Sequence, residues 1–145
     1  MPFAPFVPLR VMSSYSMLEG AIDPKDIAKL AKERGFPAIA ICDRNGLYGI
    51  MAFAAACKSE GVQPIIGALL GVARGDEARM VDYLPLFAQD NAGYDNLCHL
   101  VSRAHLDRPL ELDPHVTLAD LEGRTDGLIA LTGAGEGGLT RLLAE

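Results

Sequence analysis

The chain has 145 residues, 50% of them hydrophobic, and a formal net charge of −6. That is enough chain for one compact domain, and the acidic balance supplies no overall basic footprint for holding nucleic acid. No run of about 18 apolar residues is present to cross a bilayer, and Met1-Pro2-Phe3-Ala4-Pro5 lacks the basic and apolar regions of a signal peptide, which predicts a cytoplasmic protein.

Residues 7–12 read as a strand. Alternation would put Pro8, Arg10 and Met12 on one face, toward a pocket or strand end, and Val7, Leu9 and Val11 on the other, toward a core. A proline, a guanidinium and a thioether cannot jointly hold a hard divalent cation. Asp23 is a helix N-cap candidate, with Pro24 at the first helical position, where its missing N–H costs nothing. Ile27, Ala28, Leu30 and Ala31 follow at helical spacing, and Gly35 ends the helix. The apolar run over 38–42 suits a strand buried on both faces, and Asp43-Arg44-Asn45-Gly46 closes it in a turn. A second helix is predicted over 47–59, closed near Gly61, and a strand over 64–72.

Arg74-Gly75-Asp76-Glu77 is a polar turn, and 83–88 is again extended and apolar. So short a connection carries no crossover helix, which predicts an antiparallel hairpin over 69–88, with Pro85 pushing its second arm toward an edge. A third helix is predicted over 93–105, a loop over 106–114, a cap at Thr117 with Asp120 three residues on, and a last strand over 127–132. This order gives an α/β fold with mainly parallel strands. Five or so strands ending on a bare helix leave an open sheet edge or an unclosed barrel, which predicts dimerisation or strand exchange.

Other candidates carry little chemistry. Cys42, Cys57 and Cys98 are an odd number with no close pair, so free buried thiols are expected. His99 and His105 do not share a helical face, and His115 lies in a loop, so none forms a metal pair. Gly133-Ala134-Gly135-Glu136-Gly137-Gly138 lacks both the dinucleotide spacing and the end of a P-loop, and Glu136 would repel a phosphate. It reads as a tight turn. Met12, Met17, Met51 and Met80 form no stripe and read as core filler.

The run Phe6-Val7-Pro8-Leu9-Arg10-Val11-Met12-Ser13-Ser14-Tyr15-Ser16-Met17-Leu18-Glu19-Gly20 resembles the start of the PHP (polymerase and histidinol phosphatase) domain of bacterial DNA polymerase III alpha subunits, F-V-H-L-H-V-H-S-x-Y-S-x-L-D-G. Ala40–Gly49 resembles that family's A-L-T-D-H-G-N-L-Y-G, and Lys58–Leu69 its K-x-x-G-I-K-P-I-I-G-C-E. Leu86–Ser102 and Gly127–Gly138 follow its later motifs in order. The resemblance implies a PHP-type distorted (β/α)7 barrel, with the single domain at 1–145 covering roughly its first half. It also maps the family's metal ligands. Three histidine positions are Pro8, Arg10 and Met12, the Asp-His pair is Asp43 and Arg44, and the ligand Glu is Leu69.

Only Asp43 keeps a donor, so the resemblance implies a site without metal, cofactor or catalytic residue, inert as phosphoesterase or nuclease. An ion pair of Asp43 with Arg10 or Arg44, at the C-terminal ends of the strands, would spare a partly buried carboxylate several kcal/mol. Asp43 could equally cap a helix starting near Asn45, and both can hold. The parent enzyme implied is a DNA-directed DNA polymerase, a nucleotidyltransferase of DNA replication whose catalytic carboxylates lie in other domains. The partners implied are those remaining polymerase domains and the proofreading exonuclease (epsilon) subunit. DNA would be met only through the parent holoenzyme, and no membrane is involved. The rivals are a stand-alone PHP metal-dependent phosphoesterase, which would need His at 10 and 12 and Glu at 69, and an unrelated α/β binding module.

Overall fold

The computed structural model describes residues 3–75 and 80–144. It resolves into two compact units, one from residues 3–43 and 47–67, the other from 44–46 and 68–144. Four strands, β1 (Ala38–Arg44), β2 (Gln63–Ala73), β3 (Val81–Ala88) and β4 (Leu128–Ala130), are hydrogen-bonded in the order β1-β2-β3-β4. The fold is mixed α/β.

In the first unit, helix α1 (Pro24–Glu33) starts where the sequence predicts. Asp23 is extended and its carboxylate accepts the N–H of Lys25. Ile27, Ala28 and Ala31 turn inward. Helix α2 (Ile50–Glu60) packs on α1, buries Phe53 and Cys57 completely, and closes at Gly61, whose φ of 73° is left-handed. Burial of a side chain like Phe53 stabilises by about 1.5–3 kcal/mol. Lys32 and Glu60 link the two helices at 2.8 Å. Strand β1 is buried from Ile39 to Asp43, as its continuous apolar run requires.

Residues 7–12 do not form the predicted strand. They run beside β1, with Ala40 N–H donating to Pro8 O and Cys42 N–H to Val11 O. Two residues on β1 thus face three on the neighbouring segment, and the extra residue breaks the ladder as a bulge does. Strict alternation fails with it. Pro8 and Val11, predicted on opposite faces, together line an apolar pocket against α1 with Ile27, Leu30 and Ile39.

In the second unit, helix α3 (Asn91–Leu106) is capped by Asp90 and packs on β3, burying Leu97, Leu100 and Ala104. Arg74 N–H donates to Met80 O between β2 and β3. The predicted turn residues Asp76 and Glu77 lie outside the described residues. Pro85 does not mark an edge, because β3 lies between β2 and β4. It falls one residue beyond the β3–β4 register, Leu86↔Ala130 to Ala88↔Leu128, and serves there as an acceptor for Leu131 N–H. Its missing donor is not needed.

Strand β4 runs antiparallel to β3. After α3 the chain continues through helix α4 (Leu118–Leu121) and returns where Gln89 N–H donates to Gly127 O, at the end of β3. It can then only run back. Thr117 and Asp120 form the capping box. The glycine-rich segment makes a 3-10 turn over Ala134–Glu136 and enters α5 (Gly138–Ala144).

Candidate functional site

Asp43 is the chemical centre of the first unit. A carboxylate at the end of an apolar run, only 2% exposed, needs its acceptor capacity filled from within. Ser13 supplies two donors, its N–H to Oδ1 and its hydroxyl to Oδ2, both at 2.7 Å. Ser16 supplies a third, its hydroxyl to Oδ1 at 2.8 Å. Tyr15 N–H donates in turn to Ser13 Oγ at 3.2 Å. Asp43 does not cap α2, which starts at Ile50 with Gly49 as its N-cap.

The neighbouring thiol responds to the same burial. Cys42 is fully buried, and loss of solvation pushes its pKa up to about 12. Arg10 draws it down and Asp43 raises it further. Arg10 is therefore within electrostatic reach of this end of β1.

The segment held by Asp43 is a closed loop. Ser16 N–H donates to Ser13 O, Glu19 and Gly20 N–H to Ser16 O, and Ser14 N–H to Ile22 O. Ser13 and Ile22 also form a parallel bridge. Gly20 packs so tightly that an added Cβ would lie 1.9 Å from Ser13 O, which excludes any side chain there. Leu18 has a φ of 67° and is fully exposed.

Arg10 and Met12 come together, lining an open pocket of about 590 Å³ with Glu19, Gly20 and Ile22. Pro8 is not with them; it lines the apolar pocket under α1. Leu69 is fully buried in the core of the second unit. Arg44, at the end of β1, stacks on Tyr83 and donates to Glu136 at 2.9 Å.

Ser13 and Ser16 match serines of the family run, but the sequence alone does not show their use. Two hydroxyls kept beside a lost histidine set were the available signal. Asn45 was missed. At φ 49° it accepts Gly71 N–H on Oδ1 at 2.7 Å, and His105 Nε2 lies 2.7 Å from its carbonyl oxygen. His105 thus has a structural contact, to the backbone just after β1.

The residues do not fit a divalent cation. Pro8, Arg10, Arg44 and Leu69 offer no lone pair, Met12 offers only a soft sulfur, and both oxygens of Asp43 already accept hydrogen bonds. Among the described residues no three His, Cys, Asp or Glu side chains gather as a metal-holding group. No described helix is long and apolar enough to cross a membrane.

The PHP domain family model matches residues 8–145. The chain is 41% identical over 144 residues to the DNA polymerase III subunit alpha of Caulobacter vibrioides, covering 96% of this chain and 13% of that protein. It is 46% identical over 103 residues to the error-prone DNA polymerase of Anaeromyxobacter sp. (strain K), covering 69% of this chain and 9% of that protein. Among solved structures, an amidohydrolase from Chromobacterium violaceum matches with a TM-score of 0.54 at 21% identity, over 68% of this chain and 32% of that one. A protein assigned as a metal-dependent phosphoesterase from Bifidobacterium adolescentis matches with a TM-score of 0.52 at 15% identity, over 71% and 34%. At these identities the structural likeness concerns the fold alone.

The chain belongs to the PHP domain family. Within that family it is a PHP domain of the DNA polymerase III alpha type, the kind that matches nearly its whole length. The reading as an unrelated α/β binding module falls with this match. The chain spans only 13% of the length of the Caulobacter protein.

Proposed function

We propose that this chain is the scaffold PHP domain of a replicative DNA polymerase III alpha subunit, and that its own site holds no metal and performs no reaction. The observation that carries the reading is the combination of 41% identity across 96% of the chain with donor loss at five mapped positions, Pro8, Arg10, Met12, Arg44 and Leu69. The parent activity would be template-directed primer extension, carried by other domains. The PHP domain would support those domains and offer a docking surface for the proofreading exonuclease subunit, meeting DNA only within the holoenzyme. The cation of Arg10, near enough to Cys42 to lower its pKa, would supply charge opposite Asp43 in place of a metal ion.

Two measurements test this. Metal analysis and equilibrium titration of the chain with Zn²⁺ and Mn²⁺ should find no stoichiometric binding and no phosphatase activity. A tightly bound ion with phosphoester hydrolysis would instead make this an active phosphoesterase. The full polypeptide should extend a primer on template DNA. The 46% identity to an error-prone polymerase favours a second reading, in which the parent belongs to that type. A high misincorporation frequency in the same extension assay would select it.

A further inference from the structure

The loop from Ser13 to Gly20 contains one costly backbone conformation. Leu18 occupies the left-handed region at φ 67°, which is disfavoured for a residue with a bulky side chain. Tyr15, Met17 and Leu18 are all exposed, at 54%, 83% and 105%. The turn bonds of Ser16, Glu19 and Gly20 lie within the loop itself. They fix its shape but do not tie it to β1. Asp43 does so, and at two points one turn apart, because Ser13 and Ser16 donate to the same carboxylate.

The bonding is reciprocal. An ionised carboxylate only accepts, and hydrogen bonds to it are charge-assisted and stronger than neutral ones. Asp43 is nearly sealed from water, so its charge depends on those donors for solvation. Release of one serine leaves the other alone to compensate a buried charge, which makes opening costly and cooperative. The chain Tyr15 N–H to Ser13 Oγ to Asp43 Oδ2 carries the restraint to the first exposed aromatic of the loop.

We propose that Asp43 is a conformational latch: its carboxylate, saturated by Ser13 and Ser16, pins to β1 the strained turn from which Met17 and Leu18 face outward. The loop then has two states, latched and released, and the carboxylate selects between them. This assigns a role to the position independently of whether the site binds metal.

Amide hydrogen exchange on the full chain tests the latch. Asp43→Asn keeps the shape but presents an amide donor to serine donors. The exchange rates at Ser13, Tyr15 and Ser16 should rise about tenfold or more, as expected for losing a hydrogen bond to a charged group. Rates in α3 should stay as in the parent chain. Chymotrypsin cleavage after Tyr15 or Leu18 should rise in parallel. If Asp43→Asn does not fold, Ser16→Ala decides, since it removes one donor and should give a smaller rise confined to the loop. Unchanged loop exchange in the folded variants overturns the proposal, as does a rise shared equally by α3.

Discussion

Arg44 carries its guanidinium carbon 4.2 Å from the centroid of the Tyr83 ring, and the same group donates through Nη2 to Glu136. One side chain therefore joins the end of β1, strand β3 and the glycine-rich turn of the second unit. It sits at a position where the family resemblance expects a histidine ligand. A planar cation suits the place because it can stack and donate in the same pose.

Arg44→Ala should lower stability by about 1–2 kcal/mol, the sum of a partly exposed cation–π contact and a partly exposed ion pair. Arg44→Lys should recover less than half of that, because an ammonium cannot stack and fork together. Tyr83→Phe, which keeps the ring face, should be nearly neutral. Urea denaturation midpoints measure all three, and an unaltered midpoint in the alanine variant would refute the cross-link.

Leu18→Asn should leave the chain more stable by about 0.5–1 kcal/mol, since asparagine enters the left-handed region at lower cost. No packing is lost, because Leu18 is fully exposed. Leu18→Val should have the opposite sign, as a β-branched residue is poorly accommodated there. Thermal melts of the pair read the strain directly, and equal melting temperatures would mean the turn stores none.

Cys42 gives a pH dependence with a definite sign. Its thiol ionises near 9.0 in an ordinary setting but near about 12 in the fold. The unfolded chain thus loses this proton first. Its contribution is complete below pH 9 and is lost as pH rises toward 12, with a slope of about 1.4 kcal/mol per pH unit. Between pH 9 and 11 the parent chain should lose stability more steeply than Cys42→Ala. Parallel curves would show that the buried thiol does not govern alkaline unfolding.

Leu69→Glu restores the residue type that the family uses as a ligand, but into the fully buried core of the second unit. It should destabilise by about 3 kcal/mol or more, as an uncompensated buried carboxyl does. Mn²⁺ should not recover the loss. A melting temperature that climbs with Mn²⁺ would indicate a latent cation site and defeat the reading of a dead centre.

What was legible in the sequence was local. Asp23 before Pro24 and Thr117 before Asp120 announce their helices because a cap and its partner lie within one turn. The buried run of β1 was likewise readable from its own residues. The segment 7–12 was not, since its extra residue appears only in the bonds of Pro8 and Val11 to β1. The central place of Pro85 depends on β4, more than forty residues on. At the site, the loss of ligands was evident residue by residue. The new partners were not: Ser13 lies 30 residues from Asp43, and Glu136 lies 92 from Arg44. Pairings over such spans are decided by the folded topology and leave no periodic trace.

The bonds of Pro8, Val11 and Ser13 to Ala40, Cys42 and Asp43 also impose an order on assembly. Pro8, Val11 and Ser13 leave the ribosome before these anchors, which follow 30 residues later in the case of Ser13 and Asp43. The segment must therefore wait, with its aliphatic side chains in water, until β1 has left the exit tunnel.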